Sequence, residues 1–160
     1  MNNKYTRLIL ISGIVVLLDQ ITKIAILDAV PMYQTISVIP GFFNLSHIHN
    51  PGGAFGFLSA SNSSWLNTGF LVVTLLALGL IFYFYKTTPE THKMLAAGFA
   101  LICGGAIGNF IDRIRFGEVV DFLDFYIGQW HWPSFNVADS AITIGILVFL
   151  YHIVFRKLPE

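Results

Sequence analysis

Charged residues and cysteine are scarce in this sequence. Only 11% of its 160 residues are charged, whereas an ordinary soluble domain has about 25%. Lys and Arg total nine, and Asp and Glu also total nine, so the formal net charge is zero. This balance excludes a basic surface for nucleic acid and an acidic solvated tail. The single cysteine, Cys103, excludes an intrachain disulfide and a cysteine-based zinc site.

Apolar side chains, by contrast, are abundant. Hydrophobic residues make up 55% of the chain, 15 residues are phenylalanine, and the mean hydropathy is +0.69. This composition predicts an integral membrane protein. A chain of this length has room for a few helices, and we therefore expect residues 1–160 to form a single membrane domain.

Four apolar runs are long enough to cross a bilayer. Residues 65–85 contain no charged side chain, and at about 1.5 Å per residue such a helix matches a hydrocarbon core about 30 Å thick. Spanning helices are likewise predicted at about 8–30, 94–113 and 137–155. The first of these contains Asp19, so its outer half must face protein or water rather than lipid.

Basic residues near the runs predict the orientation of the chain. The first run resembles a signal peptide because basic residues precede it, but no small-residue cleavage pattern follows, so we expect it to be retained. Basic residues in short loops favour the cytoplasm, and six at one side of the predicted bundle against two at the other place both termini there. The six are Lys4, Arg7, Lys86, Lys93, Arg156 and Lys157, and the two are Arg113 and Arg115.

Two outer segments, residues 31–64 and 114–136, connect the predicted helices. Both are rich in aromatic residues, Gly, Pro and Asn. Residues 35–50 partly alternate between apolar and polar side chains, which favours short strands, and Pro51-Gly52-Gly53 favours a turn. The predicted fold class is an all-α integral membrane protein with four transmembrane helices and a small extracytoplasmic β/loop subdomain.

Polar residues near the predicted spans are the candidates for function, because a charge at membrane depth costs about 2.5 to 3.5 kcal/mol. Asp19 and Lys23 are spaced i,i+4 and can pair on one side of the first helix. Asn109, Asp112 and Arg113 share one face of the third helix. Each set fits a site lining, and each also fits a structural role, as an ion pair or as an interfacial anchor.

Two carboxylates, Asp121 and Asp139, are predicted to meet at the outer membrane boundary, because antiparallel third and fourth helices bring them together. Two neighbouring carboxylates in a desolvated pocket share a proton, so the ionised one activates water and the protonated one polarises a carbonyl. This is aspartic-protease chemistry. Asp124 faces away from Asp121 if the segment is a strand. Asp139, three residues after Asn136, also fits a capping role at a helix start.

Other functions are also compatible with parts of the sequence. The histidines lack a recognised zinc spacing, so we expect no metal and no other cofactor; they are His47, His49 and His131. A Ser/Lys peptidase would use Lys23 as base and Ser46 or Ser140 as nucleophile. A proton-coupled carrier or channel subunit would use the ionisable residues as a relay; these are Asp19, Lys23, Asp121 and Asp139. A purely structural membrane subunit is the remaining alternative.

Five sequence blocks, in order along the chain, resemble those of the lipoprotein signal peptidases, also called signal peptidase II. They are LDQITK from residue 18, NPGGAFGF from residue 50, GGAIGNFIDR from residue 104, VVDFLDF from residue 119 and WPSFNVADSAI from residue 132. Chance agreement of all five with four hydrophobic runs is negligible. The second block departs at Pro51 and Gly53, where similar proteins more often have alanine.

The resemblance implies a multi-pass aspartyl endopeptidase of the bacterial cytoplasmic membrane. Such an enzyme removes the signal peptide from diacylglyceryl-modified prolipoproteins at its outer face, cutting on the amino side of the lipidated cysteine. The implied catalytic pair is Asp121 and Asp139. The resemblance also implies further positions that line the site and bind substrate, namely Asp19, Lys23, Asn50, Asn109, Arg113 and Asn136, whereas Asp112 and Asp124 are expected to be structural. The expected partners are prolipoprotein substrates and membrane lipid, without nucleic acid, and we expect a monomer.

Overall fold

A computed structural model describes residues 3–52 and 64–156, and in this part of the chain four helices are long and apolar enough to cross a membrane. They are α1 (Lys4–Ala29), α2 (Ser64–Thr87), α3 (Lys93–Phe116) and α4 (Val137–Tyr151), the last continued by a π-helical segment, His152–Arg156. Strands β1 (Thr35–Ile39) and β2 (Phe43–Asn50) lie between α1 and α2, and strands β3 (Val119–Ile127) and β4 (Trp130–His131) lie between α3 and α4.

Helix α3 lies at the centre of the bundle and packs against the other three helices. Close contact depends on glycine: a Cβ atom at Gly104 would lie 2.9 Å from the Ser12 backbone of α1. A Cβ atom at Gly145 of α4 would lie 2.5 Å from the Gly98 carbonyl oxygen of α3. Small residues therefore let the three backbones approach closely, as is common between membrane helices.

The end of α3 differs by a few residues from the prediction. The helix continues past residue 113 to Phe116 and ends at Gly117, whose φ of 77° is left-handed. The Gly117 N–H donates to the Arg113 carbonyl at 3.1 Å. Glycine adopts this conformation without a Cβ clash, so it ends the helix. Asp112 and Arg113, which the prediction also placed in this helix, lie within its last turns.

The described strands form an antiparallel sheet in the order β1-β2-β3-β4. Its position follows from the chain path, since α1 and α3 end where the strands begin and α2 and α4 start after them. In the pairing of β2 with β3, Ile48 lies opposite Asp121 and Asn50 lies opposite Val119. The sheet therefore sits at one end of the bundle and carries Asp121 on an inner strand.

The chain enters α1 and leaves α4 at the opposite end of the bundle. There the Lys4 ammonium group donates to the Lys86 carbonyl at 2.7 Å and to the Thr88 carbonyl at 3.1 Å, which ties α1 to the end of α2. These contacts satisfy carbonyl groups that a helix end leaves unpaired.

Four spanning helices and a small sheet confirm the predicted fold class. The strands predicted within residues 35–50 are present. Gly53 of the predicted turn and Lys157 of the charge count lie outside the described residues. The side of the membrane that the sheet faces remains a prediction.

Candidate active site

Asp121 is buried in β3 with both carboxylate oxygens hydrogen-bonded. Its Oδ1 accepts from the Asn136 side-chain amide at 2.8 Å, and its Oδ2 accepts from the Asn50 side-chain amide at 3.0 Å. Asn50 ends β2 and Asn136 precedes α4. Residues distant in sequence thus hold this carboxylate from two sides.

Asp139 lies in the first turn of α4. It forms a capping box with Asn136: the Asn136 side-chain oxygen accepts from the Asp139 N–H at 2.9 Å, and the Asp139 Oδ2 accepts from the Asn136 N–H at 3.2 Å. This reciprocal pair satisfies two N–H groups at the helix start. The capping role proposed from the sequence is therefore present, and it also fixes the direction of this carboxylate.

Asn136 connects the two acids. It is fully buried, and the same side chain donates to Asp121, accepts from the Asp139 backbone and donates to the Asn109 Oδ1 at 3.2 Å. Asn109 in turn donates to the Asp139 Oδ1 at 2.8 Å. Asp121 and Asp139 are therefore held within one hydrogen-bonded frame, as the folding of residues 114–136 between α3 and α4 predicted.

The protonation of Asp121 is strongly perturbed. Burial, and next the neighbouring charge of Asp139, raise the pKa of Asp121 to about 7, against the lowering effect of the hydrogen bonds from Asn50 and Asn136. A buried carboxylate with a second carboxylate beside it resists ionisation. The pair is therefore able to keep a proton near neutral pH.

Three further charged residues form a buried network between α1 and α3. The Lys23 ammonium group contacts Asp19 at 2.9 Å, Asp112 at 2.8 Å and the Asn109 Oδ1 at 3.0 Å. Asp19 also accepts from the Ala138 N–H at 2.9 Å, and Asp112 accepts from the Val120 N–H at 3.1 Å. The network therefore joins both acid-bearing elements, α4 and β3, to the two helices.

Arg113 projects from α3 toward the end of β2. Its Nη2 donates to the Gly52 carbonyl at 2.7 Å, and its guanidinium lies 4.2 Å from the centre of the Phe70 ring on α2. Its Nη1 is buried and has no hydrogen-bond partner among residues 3–52 and 64–156. The side chain is thus held on one side and retains a donor on the other.

A cleft of about 710 Å³ opens over the two acids. Five of the predicted site residues line it, namely Asn50, Asn109, Arg113, Asp121 and Asp139. The cleft continues along α4 past Ile142 to Ile146. Asp19, Lys23 and Asn136 are absent from its lining and lie behind it. The structure thus separates residues that face the cleft from residues that support them.

Comparison with known proteins assigns this site to a family. The sequence model of the family described as signal peptidase (SPase) II matches residues 11–155. The chain belongs to the signal peptidase II family. Two lipoprotein signal peptidases illustrate the likeness: that of Desulforapulum autotrophicum is 52% identical, covering 96% of this chain and 95% of the relative. That of Syntrophus aciditrophicus is 48% identical, covering 85% and 84%.

Solved structures agree with the family assignment. A bacterial membrane enzyme determined by the in meso method at 2.3 Å resolution matches with a TM-score of 0.81 and 36% identity, covering 96% of this chain and 93% of the other. A second, at 1.9 Å, matches with a TM-score of 0.82 and 35% identity, covering 94% of each chain. Membership in signal peptidase II makes this protein a membrane protease, and the carrier or channel alternative has no support.

The geometry also weighs against a Ser/Lys pair in this signal peptidase II member. A lysine acting as base needs a free lone pair, but the three Lys23 contacts account for all three ammonium protons. The Ser140 hydroxyl donates to the Asn136 carbonyl at 3.0 Å, within its own helix. Lys23 is therefore bound as a cation between two carboxylates.

The three histidines considered for zinc do not converge. The His47 and His49 rings lie together on β2, whereas His131 contacts Asp124 at 2.7 Å. Asp124 also accepts from Asn44 at 2.9 Å. In the described part of the chain no group of three or more His, Cys, Asp or Glu residues is placed to hold a metal ion.

Sequence reasoning did not single out two contributors to the frame. The Gln20 amide donates to Asp19 at 3.1 Å and to Asp112 at 3.0 Å, and so completes the charged network. The Gly52 carbonyl accepts from Arg113. Gln20 lies within the LDQITK block, which was the available signal, whereas a backbone carbonyl leaves no side-chain signal in a sequence.

Proposed function

We propose that this chain is an aspartyl endopeptidase that removes the signal peptide from diacylglyceryl-modified prolipoproteins, cleaving on the amino side of the lipidated cysteine. Asp121 and Asp139 are the proposed catalytic residues. The observation that carries the proposal is that these two buried carboxylates line one cleft and share the bridging side chain of Asn136.

The reaction needs one proton on the pair. The ionised carboxylate accepts a proton from water while the water oxygen bonds to the scissile carbonyl carbon, and the protonated carboxyl donates its proton to the carbonyl oxygen. When the tetrahedral intermediate collapses, the C–N bond breaks and the leaving nitrogen takes the proton that the first carboxylate removed from water. A hydroxyl of the intermediate returns its proton to the other carboxylate, so the pair again holds one proton. The raised pKa of Asp121 supports this division of labour.

The remaining site residues divide into two roles. Asn50, Asn109 and Arg113 line the cleft, and the unpartnered Nη1 of Arg113 supplies a donor for a substrate backbone carbonyl. Asp19, Lys23 and Asn136 were predicted as substrate-binding positions. Their burial behind the cleft supports a different role, in which they hold Asn109 and the two acids in place.

The apolar part of the cleft fits the lipid of the substrate. It follows α4 from Asp139 to Ile146, about 10 Å at about 1.5 Å per residue. Ile144 and Ile146 line it and are also exposed on the bundle surface, where a membrane helix meets acyl chains.

The proposed location is the bacterial plasma membrane, with both termini in the cytoplasm and the sheet end of the bundle outside. The proposed functional unit is a monomer.

The decisive experiment removes each acid singly. Asp121→Asn and Asp139→Asn keep the side-chain shape, and purified protein in detergent is incubated with a diacylglyceryl-modified prolipoprotein. We expect cleavage on a gel to fall by orders of magnitude in both variants.

Asp124→Asn is the matched control, because Asp124 is also buried, lies on the same strand and accepts two hydrogen bonds. It should retain activity. Thermal melting checks that each variant is folded. Normal cleavage by a folded Asp121→Asn or Asp139→Asn protein would contradict the assignment.

A further inference from the structure

One face of α4 lines the cleft with side chains that change from polar to apolar along the helix. Residues spaced i, i+3, i+4 and i+7 share a helical face, and those that line the cleft in this spacing are Asp139, Ile142, Thr143 and Ile146. Thr143 lies one turn after Asp139, about 6 Å along the axis at about 1.5 Å per residue. The face therefore presents a carboxylate first, then a hydroxyl group, and an alkyl group last.

The Thr143 hydroxyl has no hydrogen-bond partner among residues 3–52 and 64–156. A threonine within a helix commonly donates to the carbonyl oxygen four residues before it. Thr22 of α1 donates in this way to Leu18, and Thr74 of α2 to Phe70, each at 2.8 Å. Thr143 does not, and its side chain is exposed on the bundle surface. Its hydroxyl is therefore available to a ligand in the cleft.

Two serines also line the cleft, but neither offers a free hydroxyl in this position. Ser140 donates to the Asn136 carbonyl at 3.0 Å. Ser134 precedes α4, so it lies before Asp139 in the segment that comes from the sheet. Among the described residues of the lining, Thr143 thus supplies the free hydroxyl between the acid and the apolar end.

A diacylglyceryl cysteine carries its chemical groups in the same order as this face of α4. The peptide bond to be cut comes first, the ester groups follow beyond the sulfur and the glycerol carbons, and the acyl chains come last. An ester carbonyl oxygen accepts hydrogen bonds, and a threonine hydroxyl can donate one. Where lipid excludes water, a hydroxyl without a partner costs free energy, so pairing with an ester carbonyl stabilises the bound substrate.

We propose that Thr143 is a specificity-determining residue whose hydroxyl donates to an ester carbonyl of the diacylglyceryl group. This proposal rests on the proposed function, because it requires the lipid of that substrate to bind along α4. The contact holds the glycerol one turn from Asp139, and the acyl chains then extend toward Ile146. It also distinguishes ester-linked chains from ether-linked chains, which have no carbonyl oxygen.

The test compares two prolipoproteins that carry the same chains, one in ester linkage and one in ether linkage. Thr143→Val keeps the side-chain shape and removes the hydroxyl. It should lower kcat/KM for the ester substrate about fivefold, the effect of one hydrogen bond between neutral groups, mainly through KM. It should leave kcat/KM for the ether substrate unchanged, and Thr143→Ser should restore the preference for the ester.

Thr74→Val is the matched control, because Thr74 already donates within its own helix and no described residue of α2 lines the cleft. It should leave both substrates unaffected. An equal loss for the two substrates in Thr143→Val would place the hydroxyl against another part of the substrate and overturn the proposal, and so would no loss for either.

Binding is measured separately with Asp121→Asn protein, with and without Thr143→Val, so that the lipid contact is tested without cleavage. The Kd of the ester substrate should rise about fivefold on loss of the hydroxyl, and the Kd of the ether substrate should not change. Equal Kd values for the ester substrate would overturn the proposal. Wild-type protein that cleaves neither substrate would instead refute the proposed function, while the Kd values would still decide the ester contact.

Discussion

At the scale of single residues, the proposed mechanism makes activity depend on the protonation of Asp121. Burial first and the Asp139 charge second raise the pKa of Asp121 to about 7, and the donor Asn50 opposes them. Because the folded site holds this proton more tightly than a free carboxyl does, the protonated form persists up to about pH 7 and is lost above it. Activity that needs one proton on the pair should therefore fall as the pH rises past that value.

The contribution of Asn50 can be tested through this pH dependence. Asn50→Ala removes a hydrogen bond that favours the ionised Asp121, so the pKa of Asp121 should rise further. The alkaline limb of the pH profile of kcat should then shift to higher pH by about one unit. The measurement is kcat for prolipoprotein cleavage between pH 5 and pH 9, a range of about two units either side of the pKa of Asp121. Asn44→Ala, which removes a donor to Asp124, should leave the limb in place. If the alkaline limb lies at the same pH in Asn50→Ala as in the wild type, the hydrogen bond from Asn50 does not control the protonation of Asp121.

At the scale of the helices and strands, α1 and α3 are joined by charge as well as by glycine packing. Asp19 and Asp112 are almost fully buried, with exposed fractions of 0% and 1%. Lys23 neutralises both at 2.9 and 2.8 Å. A buried ion group of this kind adds little stability relative to apolar side chains, but removal of one partner leaves buried charge uncompensated.

Lys23→Met should therefore destabilise the protein. It keeps most of the side-chain volume but leaves two buried carboxylates without their cation, which typically costs about 3 to 5 kcal/mol. Thermal unfolding in detergent should show a clearly lower midpoint, while Lys86→Met, at an exposed lysine on the end of α2, should not. A substrate-binding lysine would behave differently: Lys23→Met would then raise KM and leave the melting temperature unchanged.

The helices, strands and acids were predictable to different degrees. The apolar runs predicted the four spans because a bilayer requires long uncharged segments, and i,i+4 spacing predicted the contact of Asp19 with Lys23. The contacts of Asn50 with Asp121 and of Lys23 with Asn109 were not predictable from local pattern. They depend on strand register and helix rotation, which packing of the whole bundle decides. The predicted end of α3 at about residue 113 is three residues short, because the helix continues through Phe116 to the left-handed Gly117.

At the scale of the whole molecule, the cleft joins polar and apolar surroundings. One part holds the two acids, and the other follows the exposed apolar surface of α4. A lipidated cysteine has the same division, since the peptide bond to be cut is polar and the diacylglycerol is apolar. Entry of the substrate from the side of the bilayer would bring the peptide bond to the acids and the diacylglycerol to the apolar part of the cleft in one step. The lipid would not have to pass through water. The rigid frame of Asn136 and Asn109 then presents the acids at the junction of the two regions.

If the apolar part of the cleft binds the acyl chains of the substrate, a substitution there should affect lipid binding alone. Ile146 lines this part of the cleft, seven residues after Asp139 and distant from the reacting bond. Ile146→Trp should fill part of the apolar space and lower kcat/KM for a diacylglyceryl prolipoprotein about tenfold, the lower end of the effect expected for a hydrophobic misfit. The loss should appear in KM, because the acids are untouched. Leu147→Trp is the matched control, since Leu147 is exposed on the next position of α4 and is not part of the cleft lining. Equal kinetics for the two variants would mean that the acyl chains bind elsewhere on the bundle.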